Sequence, residues 1–175
     1  MKNKTTPTNR EVQLHDDEFI VSKTDTRGVI TYINRIFMQT SGYREGDLIG
    51  VQHNIIRHPD MPRGTYRLMW ETLGRGDEFF AYIKNLCKDG GFYWVLANVT
   101  ADIDANGQVV GYYSVRRKPT AAAIKTITPL YREMIEIEAS AGAKLGPERS
   151  IEHLMQFCQA QGMSYEELIW TLDNP

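Results

Sequence analysis

Three β-prone runs follow one another along the chain, at 78–86, 92–103 and 109–117, with only five residues between each pair. The connectors, Lys88-Asp89-Gly90-Gly91 and Asp104-Ala105-Asn106-Gly107, carry the Asp, Asn and Gly residues that tight hairpin turns select. Two shorter runs, 18–24 and 29–33, flank Asp25-Thr26-Arg27-Gly28, where Gly28 supplies the positive φ that a first hairpin needs. Between the pair and the triplet the pattern turns helical. Asn34 is placed to cap a short helix over 35–40, and a second helical turn ends at Gly50. Asp60 and Pro62 then precede Tyr66, Met69, Trp70 and Leu73, whose spacings of three and four predict an amphipathic helix with Asp60 as its N-cap. Gly74 and Gly76 end it. Two strands, a helical middle and three strands make an α+β domain: a five-stranded antiparallel sheet with helices covering one face. The short helices leave room for a pocket.

The domain is expected over 18–118, after a flexible N-terminal leader at 1–17 and before a C-terminal helical extension at 119–175. In the extension Thr120 is a cap, and Ile124, Ile127, Tyr131, Met134 and Ile137 form an apolar stripe. Pro129 interrupts or restarts that helix. Gly142 and Gly146-Pro147 break the chain, and two shorter helices follow, the last opened by a capping box of Ser164 and Glu167.

Twenty Lys and Arg against 22 Asp and Glu leave a formal net charge of −2, so no global field draws the protein to nucleic acid or anionic lipid. No apolar run is long enough for membrane insertion. Met1–Arg10, rich in Lys, Thr and Asn, lacks the apolar core of a secretory signal, which points to a cytoplasmic protein. Cys87 and Cys158 stand far apart without metal-ligand or disulfide spacing. No constellation of nucleophile, base and oxyanion donors is visible, nor a phosphate loop, and the chain is read as a protein that is not an enzyme.

The order of elements resembles the PAS fold, and the motifs resemble the flavin-binding PAS domains of bacterial aerotaxis receptors. Ile30-Thr31-Tyr32-Ile33-Asn34 and Ser41-Gly42-Tyr43 are shared with PAS domains generally. The run His53-Asn54-Ile55-Ile56-Arg57-His58-Pro59-Asp60-Met61-Pro62 is far more specific, and Met69-Trp70, Ile83-Lys84-Asn85 and Tyr93-Trp94-Val95 continue the match. The resemblance implies a non-covalently bound FAD, with FMN or haem as competitors. It also implies that a redox change is passed to a signalling module in aerotaxis or chemotaxis-like transduction. It places Arg57, His58 and Asp60 in or beside the cofactor region, Trp70 on the following helix and Asn85 on a strand facing the ring. Phe80 stands where the receptors carry a tryptophan. Trp94, alternating with its neighbours, faces either pocket or solvent and is counted with the cofactor-binding candidates.

The chemistry of these residues suits a flavin: Arg57 offers charge to a phosphate, and Asn85 offers one donor and one acceptor to the ring edge, where an amide flip would be a local switch. Each has a plainer reading. Asp60 is a helix cap, His58 a hydrogen-bonded structural residue, Arg57 the ion-pair partner of Asp60, and Trp70 a packing residue. No cysteine lies near 54–57, which argues against a thiol photoadduct. A haem bound by His53 or His58 and a cofactor-free interaction module remain as alternatives. Because the receptors carry a membrane anchor and signalling rod that are not seen before Pro175, output is assigned to a separate signalling partner, a receptor or kinase-pathway component, or to a homodimer formed through the helical extension.

Overall fold

The structure is a computed structural model that describes residues 5–174. Five strands, β1 (Ile20–Asp25), β2 (Ile30–Ile33), β3 (Phe79–Leu86), β4 (Phe92–Ile103) and β5 (Val109–Arg117), form one antiparallel sheet in the order β2-β1-β5-β4-β3. The same device shapes each hairpin turn. A carboxylate oxygen of Asp25, Asp89 or Asp104 accepts the backbone N–H two residues on, from Arg27, Gly91 and Asn106, at 2.9, 3.0 and 2.8 Å.

Between β2 and β3 lie α1 (Arg35–Ser41), α2 (Glu45–Leu48), a 3-10 turn at His53–Ile56 and α3 (Arg63–Gly74). Asn34 caps α1 as expected, its side-chain oxygen accepting from the Phe37 amide at 3.0 Å. Ile20, Ile30, Ile33, Phe37, Leu48, Ile56, Tyr93 and Val95 bury one face of the sheet beneath these short helices. The opposite face is covered by the C-terminal extension. There α4 (Ala121–Ala160) and α5 (Tyr165–Asp173) pack Ile127, Leu130, Tyr131, Met134, Leu154, Leu168 and Ile169 against Tyr82, Trp94 and Leu96. Hydroxyls tie the layers as well: Tyr131 donates to the Tyr82 carbonyl at 2.9 Å and Tyr165 to that of Phe80 at 2.7 Å.

Three expectations change. Helix α4 runs through Pro129 without a break, while Gly142, with φ +78°, kinks it where a break was expected. The expected leader does not stand free over its described part. Residues 8–14 lie beside the β3–β4 hairpin, with Thr8 and Val12 donating to the carbonyls of Gly90 and Phe92 at 2.7 Å each, and Leu14 is buried. Residues 1–4 lie outside the described residues.

The third change concerns α3. Pro62 occupies the N-cap with no side-chain cap, and Asp60 turns instead to Lys84, at 2.6 Å. The orphan amides of this helix are taken by a residue 74 positions away. Glu138 of α4, 6% exposed, accepts from the amides of Gly64 at 2.8 Å and Arg63 at 3.0 Å, from Arg63 Nε at 3.0 Å and from the Ser150 hydroxyl at 2.8 Å. A carboxylate here meets both the unpaired N–H groups and the positive end of the helix dipole. Burial opposes its ionisation, but the hydrogen bonds from Gly64, Arg63 and Ser150 outweigh burial and hold the carboxyl below its ordinary value.

Loss of that charge should loosen α3 from the extension. Glu138→Gln is expected to cost about 2 kcal/mol in urea unfolding near neutral pH, because charged acceptors are replaced by weaker ones in a buried site. The ionised form stabilises the fold above the unfolded carboxyl value of about 4.3, and that stabilisation is lost as pH falls through the lower folded value. The gap between native and variant proteins should therefore close in acid.

Candidate functional site

Under the short helices the sheet leaves a cavity of about 260 Å³. Its emptiness has a cause in the sequence. Ala81 of β3 and Ala97 of β4 are direct cross-strand partners, and both line the cavity, so two methyl groups stand where larger side chains would fill the space. Phe79, Ile83 and Val99 supply the apolar walls from the sheet, and Ile56, Tyr66 and Met69 close the helical side. At the rim Trp70, 44% exposed, meets Tyr112 edge to face with ring centres 5.1 Å apart.

Polar groups enter this apolar space at two points. At the first, an isolated antiparallel bridge couples the backbones of Arg57 and Asn85. Arg57 lies over the Tyr66 ring at 4.1 Å and donates to the Met61 carbonyl at 3.2 Å. Asn85 is buried, and its amide nitrogen has no partner among the described residues. At the second, Arg116 of β5 donates through Nη2 to Ser22 Oγ at 3.0 Å and to His53 Nε2 at 2.9 Å. For both contacts to hold, His53 Nε2 must be an acceptor. Burial first and the neighbouring guanidinium second push its pKa down to about 3, which keeps the ring neutral.

Arg57 and Arg116 thus line one cavity into which no Asp or Glu side chain projects among the described residues. Neither makes an ion pair with a carboxylate among the described residues. Buried polar groups are ordinarily satisfied, and buried cations ordinarily paired. A cavity with apolar walls, two unmatched guanidinium groups and a free amide is suited to a flat, electron-rich ligand bearing carbonyl oxygens or negative charge.

Of the residues singled out from the sequence, Arg57, Trp70 and Asn85 line the cavity, and four do not. His58 is buried beside it, its Nδ1 accepting from the Asp60 amide at 3.1 Å and its ring edge-on to Phe92. Burial, then Lys84, bring its pKa to about 4. Asp60 pairs with Lys84 and not with Arg57. These two brace the segment that carries Arg57 against β3 without lining the cavity. Phe80 and Trp94 are corrected by the pleat. Alternation on β3 turns Phe79, Ala81, Ile83 and Asn85 inward, leaving Phe80 38% exposed, while Trp94 packs with Tyr131 on the opposite face.

Sequence reading missed Arg116, Ser22, Tyr66 and Phe79. A signal existed for Arg116: Tyr112, Ser114 and Arg116 share one face of a strand, so an inward Tyr112 puts an arginine inside. Neither cysteine reaches the cavity. Both are buried and free, and burial pushes the Cys87 thiol up to about 12.

Comparison with known proteins agrees with this architecture. Residues 30–116 match the family model described as PAS fold. Over 127 residues, 73% of this chain, it is 39% identical to the aerotaxis receptor of Escherichia coli (strain K12), and the match takes in 25% of that receptor. A nitrogen fixation regulatory protein of Klebsiella pneumoniae is 30% identical over 97 residues, 55% of this chain and 20% of the relative. The chain therefore spans a quarter or less of these two curated relatives. Among solved structures, one from work on a flavin analogue and the light-oxygen-voltage domain mechanism superposes with a TM-score of 0.55 at 23% identity. It covers 66% of this chain and 86% of its own. The dark structure of the blue-light photoreceptor Aureochrome1 LOV gives 0.53 at 20%, covering 68% and 84%. With sheet order, helical cover and family match in agreement, residues 30–116 form a PAS domain, and its sequence is similar to that of the bacterial aerotaxis receptor.

Proposed function

We propose that this chain is a cytoplasmic flavin-binding sensor, with FAD as the cofactor, that reports redox or oxygen status to a signalling partner. The observation that carries the reading is the pairing of Asn85 with Arg57 at one end of an apolar cavity. Asn85 has a buried amide nitrogen free to donate, and the flavin pyrimidine edge sets carbonyl oxygens beside a ring N–H. Arg57 supplies positive charge near the same point. About 260 Å³ suits a ring system and not a whole dinucleotide, so the phosphates of an FAD would reach out of the cavity. Kinship with the aerotaxis receptor supports the same reading.

A bound flavin would supply electron-transfer chemistry and visible absorbance. Everything else falls to the chain. Asn85 would orient the ring, Arg57 would balance charge, and Phe79, Ile83 and Met69 would exclude water. His53 suits a haem poorly, since its Nε2 faces a guanidinium at 2.9 Å and not open space.

Output would leave through the C-terminal helices. Phe79 touches the cavity and also stacks on Tyr165 of α5, with ring centres 5.8 Å apart. Helix α3, which presents Tyr66, Met69 and Trp70 to the cavity, is held at its N-terminus by Glu138 of α4. A change in the cavity thus has two short mechanical routes to the extension, where a partner protein or a second copy would dock.

The visible spectrum of freshly purified protein, with mass spectrometry of the released cofactor, tests the proposal. Flavin bands and the mass of FAD are expected. A Soret band, or a colourless protein that fails to take up added FAD, would contradict it. Asn85→Ala and Arg57→Gln are each expected to weaken FAD binding about tenfold or more, the loss of one charged or buried hydrogen bond. Phe80→Ala, which removes a ring outside the cavity, should leave the affinity unchanged.

A further inference from the structure

Arg116 is a cation deep in the protein with no carboxylate beside it among the described residues. It is 5% exposed; Nη2 is occupied by Ser22 and His53, and Nη1 has no partner among the described residues. The groups that face it are His53 from the 3-10 turn, Tyr66 from α3, Tyr93 from β4 and the Phe37 ring of α1, whose centre lies 5.7 Å away. Arg57, further along the cavity, adds a second positive charge and no compensation. A charge left unpaired in a buried site is costly, and it is best explained where a ligand supplies the opposite charge.

We propose that Arg116 is a charge-tuning residue: its guanidinium offsets the negative charge that the bound flavin ring gains on reduction, so the cavity prefers the reduced, anionic ring to the oxidised, neutral one. This rests on the flavin reading above. The balance is two electrons from an external reductant, dithionite in the assay, and one proton from solvent, which together add one net negative charge. No second proton is available from the cavity. His53 is neutral, with its acceptor nitrogen occupied, and no carboxylic acid lines the site. Burial holds Tyr66 up at about 12 and raises Tyr93 as well, so neither phenol is more acidic than usual. Burial draws Arg116 itself down to about 10, still charged throughout the physiological range.

By linkage, a site that binds the reduced form more tightly raises the midpoint potential. The test is spectroelectrochemical titration of the FAD-loaded full chain, native and substituted, at several pH values. Arg116→Gln is expected to lose the preference for the reduced ring by about tenfold or more, moving the midpoint of a two-electron couple negative by about 30 mV. Arg116→Lys, which keeps the charge, should lie closer to the native value. In the native protein the midpoint should change by about 30 mV per pH unit from about pH 8 down to about pH 6, the slope of one proton per two electrons. If Arg116→Gln does not fold, this native slope and the lysine variant still decide. A flavin-loaded Arg116→Gln with an unchanged midpoint would overturn the inference. So would a native slope of about 59 mV per pH unit, one proton for each electron. A chain that binds no flavin at all would instead remove the flavin reading, and this one with it.

Discussion

Two-residue alternation along the central strands assigns each side chain of this sheet to one of two faces, and the functional organisation follows from that constraint. On β3 the inward set is Phe79, Ala81, Ile83 and Asn85, and on β5 it is Tyr112, Ser114 and Arg116. The outward set, with Tyr82, Trp94 and Leu96, belongs to the core shared with α4 and α5. A slip of one residue in register would bury Lys84 in the cavity and expose Asn85 to the helices. The pleat therefore separates the cavity lining from most of the packing against α4 and α5, with Phe79 reaching both, and Ala81 opposite Ala97 makes the inward face hollow.

The cavity and the extension are physically joined at α3. One side of this helix closes the cavity with Tyr66 and Met69, while its N-terminal amides are held by Glu138, a buried carboxylate on α4. Gly64 shows how close the approach is: a Cβ there would lie 2.2 Å from Ser150 Oγ and 2.9 Å from the Pro147 carbonyl oxygen. Only glycine lets α4 come near enough for its carboxylate to reach the helix end. An element that forms both the wall of a site and the anchor of a neighbouring helix is suited to pass a local change of charge onward.

Much of this was legible in the sequence because it was local. Hairpin turns, the Asn34 cap, the Ser164–Glu167 capping box and the five strands follow from residues within a few positions of one another. Arg57, Trp70 and Asn85, which line the cavity, stand in motifs that the sequence shows directly. What stayed hidden depended on contacts between distant segments. Asp60 has the right spacing for a cap, yet Lys84 of β3 takes its carboxylate, and Glu138 caps α3 from 74 residues away. The placement of Phe80 and Trp94 away from the cavity is hidden for a different reason: an aromatic cluster such as Phe79-Phe80 or Tyr93-Trp94 does not say which member faces inward. Arg116 opens the basic run Arg116-Arg117-Lys118, which looks like a solvated strand end, yet only Arg117 and Lys118 pair at the surface, with Asp173 and Asp16.

The account turns on the claim that a change of charge in the cavity is felt by the C-terminal helices through α3. Hydrogen exchange compared between the oxidised and reduced flavin-loaded protein tests it most directly. Altered protection is expected at the start of α3, around Arg63 and Gly64, and on α4 around Glu138, with the β4–β5 hairpin turn around Asp104 and Asn106, which does not line the cavity, unchanged. Protection that changes only at residues lining the cavity, with α4 and α5 identical in the two states, would contradict it.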